Sequence, residues 1–179
     1  EADYELPVFD ANNDAPLLYV SFGSLGSGDI TLLKRLMNAV SKLPGRALFN
    51  VGDYESEYSE IPANISIASW YPQPSVIAQT DAVIHHGGNN SFNECLYYGK
   101  PALIMPYVWD GHDNATRLKE TGHGLHLHRN EWNDQELADR IVTLLNDQPM
   151  QARLAETSAH MRSRHGPTKA AGILNDLLD

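Results

Sequence analysis

HHGGNNSFNE, His85 to Glu94, is the stretch whose reading decides the fold. It follows DAVI (81–84), an apolar run of strand formers, and it precedes CLYY (95–98), which continues as a helix until Gly99 and Pro101 stop it. A strand that passes through two glycines into a helix is one half of a βαβ unit. At such a junction glycine lets backbone amides approach a ligand, and the helix N-terminus adds partial positive charge. The combination is an anion site, most often for phosphate. Asn90 and Ser91 add side-chain donors, and His86 adds an imidazole. Each piece also has a structural reading. Ser91-x-x-Glu94 is a capping box, Gly87-Gly88 a tight turn, and His85-His86 one buried and one exposed histidine.

The same alternation extends in both directions. LLYVSFGS (17–24), RALFNVG (46–52), NISIAS (64–69), DAVIHH (81–86), PALIMP (101–106) and GLHLHR (124–129) read as strands. Helices are expected within 29–43, with Ile30, Leu33, Met37 and Val40 on one face, and over 91–99, 113–122 and 133–147. PSVIAQT (74–80) reads as a short helix or turn. The 133–147 helix is capped by Asn133 with Glu136 three residues on, and two further helical stretches follow around 150–163 and 168–178. Strands alternating with helices predict an α/β fold, a Rossmann-like parallel sheet flanked by helices. Residues 1–15, acidic and broken by Pro7, read as an interdomain linker, and 16–179 as the domain. Ligands of such sheets lie beyond the carboxyl ends of the strands. That rule selects three loops: FGSLGSG (22–28), HHGGNNS (85–91) and PYVWDGHDN (106–114). The first is neither a Walker A loop nor a clean GxGxxG.

Bulk properties narrow the function. The 179 residues carry a net charge of −10, so a nucleic-acid backbone is not the expected partner, and any anionic ligand needs a local positive feature. The single cysteine, Cys95, excludes an intrachain disulfide, fits a cytoplasmic setting and reads as a small buried hydrophobe. EADYELPVFD lacks the basic and apolar regions of a signal peptide, and no apolar run is long enough to span a bilayer. His123, His126 and His128 cluster, but no cysteine or carboxylate completes a familiar zinc pattern, so no metal is expected.

Taken together, WYPQ (70–73), HHGGNNSFNE (85–94) and GKPALIMPYVWDGHDNA (99–115) resemble the signature of the family 1, UDP-glycosyltransferase-like enzymes. The pattern falls on Trp70, Pro72 and Gln73; on His86, Gly88, Asn90, Ser91 and Glu94; on Gly99 and Pro101; and on Pro106 and Asp110. The spacing from Trp70 to His86 resembles the bacterial, macrolide-type form, and the similarity runs over about residues 16 to 178. The resemblance implies the C-terminal, donor-binding half of a GT-B enzyme. It implies that Trp70 stacks on the uracil or thymine ring, with the Tyr71 backbone on the base edge. Gln73 and Glu94 would take the ribose hydroxyls; Ser24, His86, Gly88, Asn90 and Ser91 the diphosphate; Asp110 and Gly111 the transferred sugar. The family's glutamine after that aspartate is Gly111 here, which puts sugar selectivity in question. The implied reaction is inverting, metal-independent transfer of a hexosyl group from a UDP- or dTDP-sugar to an acceptor hydroxyl, with no cofactor. Its base belongs to an N-terminal acceptor-binding domain, in the same or a separate polypeptide, so the chain alone is expected to bind donor and not to transfer it. The alternatives are a non-catalytic nucleotide-sugar-binding subunit or sensor, and a family 28 glycosyltransferase.

Overall fold

The computed structural model describes residues 4–9, 14–164 and 166–177. The expected linker therefore lies partly outside the described residues. Within its described part, the ring of Tyr4 stands edge-on to that of Tyr71, 6.1 Å away between centroids, and Phe9 is buried against the domain.

Six parallel strands form one sheet: β1 (Leu17–Ser21), β2 (Arg46–Asn50), β3 (Ile65–Ala68), β4 (Ala82–His85), β5 (Ala102–Ile104) and β6 (Gly124–His126). Their order is β3-β2-β1-β4-β5-β6. The chain builds outward from β1 to β3, then returns to the other side of β1 with β4. That reversal leaves a switch point between β1 and β4, where Ser21 pairs with His85. The loops after these two strands, Phe22 onward and His86 onward, therefore start side by side. A crevice at this place follows from topology alone.

Helices cover both faces. α1 (Gly23–Gly26) is a single turn; α2 (Ile30–Val40) follows it; then come α3 (Gln73–Gln79), α4 (Asn89–Tyr98), α5 (Asp110–Glu120), α6 (Asp134–Asn146), α7 (Gln148–Arg162) and α8 (Gly166–Asp176). Leu18 and Val20 of β1 point into one core with the inner faces of α2, α6 and α7, while Leu17 and Tyr19 point into a second core with α3, α4 and α5. Every residue of β1 is buried, which is why LLYVS reads as a continuous apolar run and not as an alternating one. Cys95 lies in the second core, and burial pushes its thiol up, so it behaves as a packing residue. Among the described residues, no helix is long and apolar enough to cross a membrane.

Helix starts differ from the sequence reading in two informative places. α4 begins at Asn89, not Ser91, with Gly88 in extended conformation as its N-cap. Ser91 is then the third helical residue and caps nothing, so the capping-box reading of Ser91-x-x-Glu94 is corrected. α5 begins at Asp110, three residues before the expected 113, because Trp109 turns the chain into it at φ 51°. The Asn133 cap of α6 forms as read, its Oδ1 accepting from the Glu136 amide at 2.9 Å.

Candidate functional site

The loops after β1, β4 and β5 enclose a cleft of about 410 Å³. Phe22, Gly23, Ser24 and Leu25 form one side, His86, Gly88, Asn89, Asn90 and Ser91 the floor, and Tyr107 to Asp110 the other side. A groove of about 520 Å³ between α2 and residues 58–62 is larger, but it is not at the strand ends. The switch-point cleft is the candidate on topological grounds.

The floor is the N-terminus of α4. The first intrahelical bond runs from the Phe92 amide to the Gly88 carbonyl at 3.0 Å, so the amides of Asn89, Asn90 and Ser91 precede the helical ladder. Asn114 fixes this end. Its buried amide donates to the Gly87 carbonyl at 2.8 Å and to Asn89 Oδ1 at 3.0 Å, tying α5 to the first turn of α4. α5 contributes a second helix N-terminus, with Asp110 on the cleft wall.

The two histidines divide as their positions dictate. His85 is fully buried and its Nδ1 accepts from the Gly87 amide at 3.1 Å, holding the turn. Burial, helped by His86, lowers its pKa to about 3, so it is neutral in the folded chain. An unfolded histidine takes up its proton near pH 6.5. The native state therefore binds fewer protons between pH 6.5 and about 3, and stability is lost as pH falls through that window, at most ~1.4 kcal/mol per pH unit. His85→Asn keeps an acceptor for Gly87 and carries no titration. Its urea midpoint is expected to fall less steeply than wild type from pH 6.5 to 4; parallel curves would contradict the assignment.

His86 sits at the cleft, wedged between two glycines. A Cβ on Gly88 would lie 2.5 Å from its Nε2, and one on Gly23 3.0 Å from its Cε1. Its Nδ1 is buried with no hydrogen-bond partner. Burial lowers its pKa; the Ser21 carbonyl and Asp110 pull it back up, and Arg129 presses it down.

Beside the floor is a polar chain. Gln73 Nε2 donates to Glu94 Oε2 at 2.6 Å and to Ser91 Oγ at 3.1 Å, and its Oε1 accepts from the Tyr19 hydroxyl at 3.3 Å. Gln73 thus joins Ser91 and Glu94, 18 and 21 residues further along the chain, in one cluster. Trp70 is 71% exposed and lies outside the cleft lining, and Tyr71 turns its side chain into the core against Tyr19. Gly111, expected at the sugar, is instead buried outside the lining, packed so closely that a Cβ there would lie 2.6 Å from the His86 carbonyl oxygen. Ser24, His86, Gly88, Asn90, Ser91, Gln73 and Asp110 all line the cleft.

The model of the erythromycin biosynthesis protein CIII-like C-terminal domain matches residues 34–177. The chain belongs to this family. Its fold is that of the C-terminal half of GT-B glycosyltransferases, as in the glycotransferase of kitacinnamycin, which superposes with a TM-score of 0.87 at 23% identity over 98% of this chain and 45% of that one. The aclacinomycin-T 2-deoxy-L-fucose transferase of Streptomyces galilaeus is 28% identical over 84% of this chain and 34% of its own length. The NDP-glycosyltransferase YjiC of Bacillus subtilis is 28% identical over 89% of this chain and 41% of its own. The chain thus spans between a third and a half of the length of these relatives.

Two residues of the CIII-like domain's site escape the sequence reading. Asn114 shares the buried face of α5 with Gly111, Ala115 and Leu118, and an asparagine on an apolar stripe is the signal of a polar group with a fixed partner. Arg129 follows β6, a fourth strand end that the carboxyl-end rule also covers. The histidines read as a cluster hold other partners: His123 bonds Thr121 and Thr157, and His128 Nδ1 accepts the amides of Asn130 and Glu131. Among the described residues, no three His, Cys, Asp or Glu side chains form a metal-sized group.

Proposed function

We propose that this domain binds the nucleotide-sugar donor of a glycosyltransferase, and that the observation carrying this reading is the α4 N-terminus set under His86 at the β1/β4 switch point. A nucleoside diphosphate needs donors for two phosphates, an acceptor pair for a ribose diol and a flat apolar surface for a base. The first need matches the amides of Asn89 to Ser91 with Ser24, His86, Gly88 and Asn90. The second matches the Gln73–Glu94 pair, since an ionised carboxylate accepts from two hydroxyls. The third matches Trp70, whose ring is exposed and unoccupied by core packing. Asp110, on the opposite wall, would take hydroxyls of the transferred sugar. The spinosyn rhamnosyltransferase SpnG, which superposes at a TM-score of 0.81 and 24% identity, covering 93% of this chain and 46% of that one, was solved with thymidine diphosphate, and the donor proposed here is of the UDP or dTDP class.

The reaction that fits is direct displacement. The acceptor oxygen attacks the anomeric carbon of a hexosyl group, the bond to the diphosphate breaks, and the configuration inverts. Negative charge collects on the departing diphosphate, over the α4 N-terminus and His86, which stabilise it without a metal. The acceptor's proton passes to a base on an acceptor-binding N-terminal domain, in the same or another polypeptide. This chain by itself is then binding-competent and inactive in transfer.

Calorimetric titration with UDP, dTDP and UDP-glucose tests the reading. Wild type is expected to bind in the micromolar-to-millimolar range. Glu94→Ala removes a charged acceptor, a loss of about 1.5–3 kcal/mol, or roughly tenfold to a hundredfold. Glu94→Ala binding as wild type does, or robust sugar transfer by this chain alone, would overturn the assignment.

A further inference from the structure

The cleft poses an electrostatic problem. The chain carries −10, and the residues lining the cleft include the carboxylate of Asp110 but no lysine or arginine. Two helix N-termini supply partial charges only. A full positive charge lies just behind the wall. Arg129 is 6% exposed, with its guanidinium carbon 4.2 Å from the ring centre of Tyr107 and 5.2 Å from that of Phe22, and both rings line the cleft.

The partners of Arg129 are unequal. Nη2 donates to Asp29 Oδ2 at 2.9 Å, while Nη1 is buried without a hydrogen-bond partner. The Asp29 side chain is 34% exposed against 7% for Arg129, and its other oxygen accepts the Leu32 amide at the start of α2. Water screens the anion more than the cation, so the pair leaves net positive potential on its buried side. The segment is anchored as well: Trp132 Nε1 donates to the Arg129 carbonyl at 3.0 Å, and Arg35 stacks on Trp132 at 3.7 Å while bonding the carbonyls of Asn130 and Trp132. Leaving a guanidinium donor buried and unpaired is costly for folding alone. Serving the cleft explains why it is there.

We propose that Arg129 is the buried cation of this cleft: held from behind by Asp29, it positions negative charge over His86 and the α4 N-terminus and selects the diphosphate of the ligand over its nucleoside part. This rests on the donor-site reading above. It concerns the phosphates alone, since Trp70, Gln73 and Glu94 belong to the other end of the site.

The test compares thymidine and uridine with their 5′-diphosphates, titrated into wild type, Arg129→Gln, Arg129→Lys and Asp29→Asn. Arg129→Gln is expected to weaken the diphosphates roughly tenfold and leave the nucleosides unchanged, with Arg129→Lys in between. Asp29→Asn keeps an acceptor for the Leu32 amide and removes the neutralising charge, so it should tighten the diphosphates roughly threefold. A merely structural ion pair predicts the opposite sign for Asp29→Asn and equal losses for both ligand types in Arg129→Gln; either result overturns the proposal. Should Arg129→Gln not fold, the sign in Asp29→Asn decides. Wild type that binds no diphosphate sinks the donor-site reading and this one with it. Diphosphate binding unchanged by Arg129→Gln sinks this one alone.

Discussion

His86→Ala is expected to lose nucleoside diphosphate affinity by roughly tenfold to a hundredfold, the loss of a donor to a charged acceptor, while its melting temperature moves little. The two halves of this expectation have separate causes. The ring borders the cleft floor, so its removal takes a donor from where phosphate charge would sit. The ring is largely buried, so its removal also relieves the desolvation of a polar group. Lost packing and lost desolvation offset one another. Gly88→Ala should reproduce the binding loss by another route. Gly88 has ordinary extended backbone angles, so alanine is tolerated there by the chain itself, but its Cβ would lie 2.5 Å from His86 Nε2 and must push the ring aside. If both variants bind diphosphate as wild type does, the imidazole is not part of the site. Titration calorimetry and a thermal melt on the same samples measure both halves.

The second large effect is on folding. Gly87 and Gly111 pack back to back, and this contact joins the β4 loop to the start of α5. A Cβ on Gly87 would lie 2.8 Å from both Cα and O of Gly111 and 2.9 Å from Ile104 Cγ2, at a φ of +91° that side chains avoid. Gly87→Ala is therefore expected to cost about 2–5 kcal/mol, combining backbone strain of ~1–2 with overpacking of ~1–3. Gly111→Gln is the more instructive change, because it installs the family's usual residue after the aspartate. The sequence pattern alone suggests a gained sugar contact. The geometry predicts destabilisation by about 1–3 kcal/mol, since the new Cβ meets the His86 carbonyl oxygen at 2.6 Å, a backbone atom that cannot step away. Urea unfolding of both variants measures this. An unchanged midpoint for Gly111→Gln would mean that α5 enters the site along a different path.

The Gly87–Gly111 contact also shows where sequence reading stops. The sheet was legible because its strands are short, apolar and buried on both faces, and because glycine and proline mark their ends, as at Gly99, which closes α4 in the left-handed region at φ 66°. The three loops were legible from topology, and seven of the site residues read from the motifs do line one cleft. Helix starts were less legible. Ser91-x-x-Glu94 satisfies the capping-box pattern, yet Gly88 begins the helix sooner, and Gln73, from another strand's loop, claims both side chains. No local rule contains that contact. Arg129 and Asn114 were missed for the same reason: their meaning lies in Asp29, Tyr107, Gly87 and Asn89, none of them a sequence neighbour.

The central claim is that a nucleoside diphosphate lies across the β1/β4 switch point, with its phosphates on α4 and its base toward Trp70. Amide and indole chemical shifts of the isotope-labelled chain, followed during addition of thymidine diphosphate and uridine diphosphate, test it most directly. Saturable shifts are expected at Gly23, Ser24, Gly88, Asn89, Asn90 and Ser91, together with the Trp70 indole, and little change around Lys34 and Tyr58 in the second groove. Shifts confined to that second groove, or a folded chain whose α4 amides do not respond to either nucleotide, would contradict it.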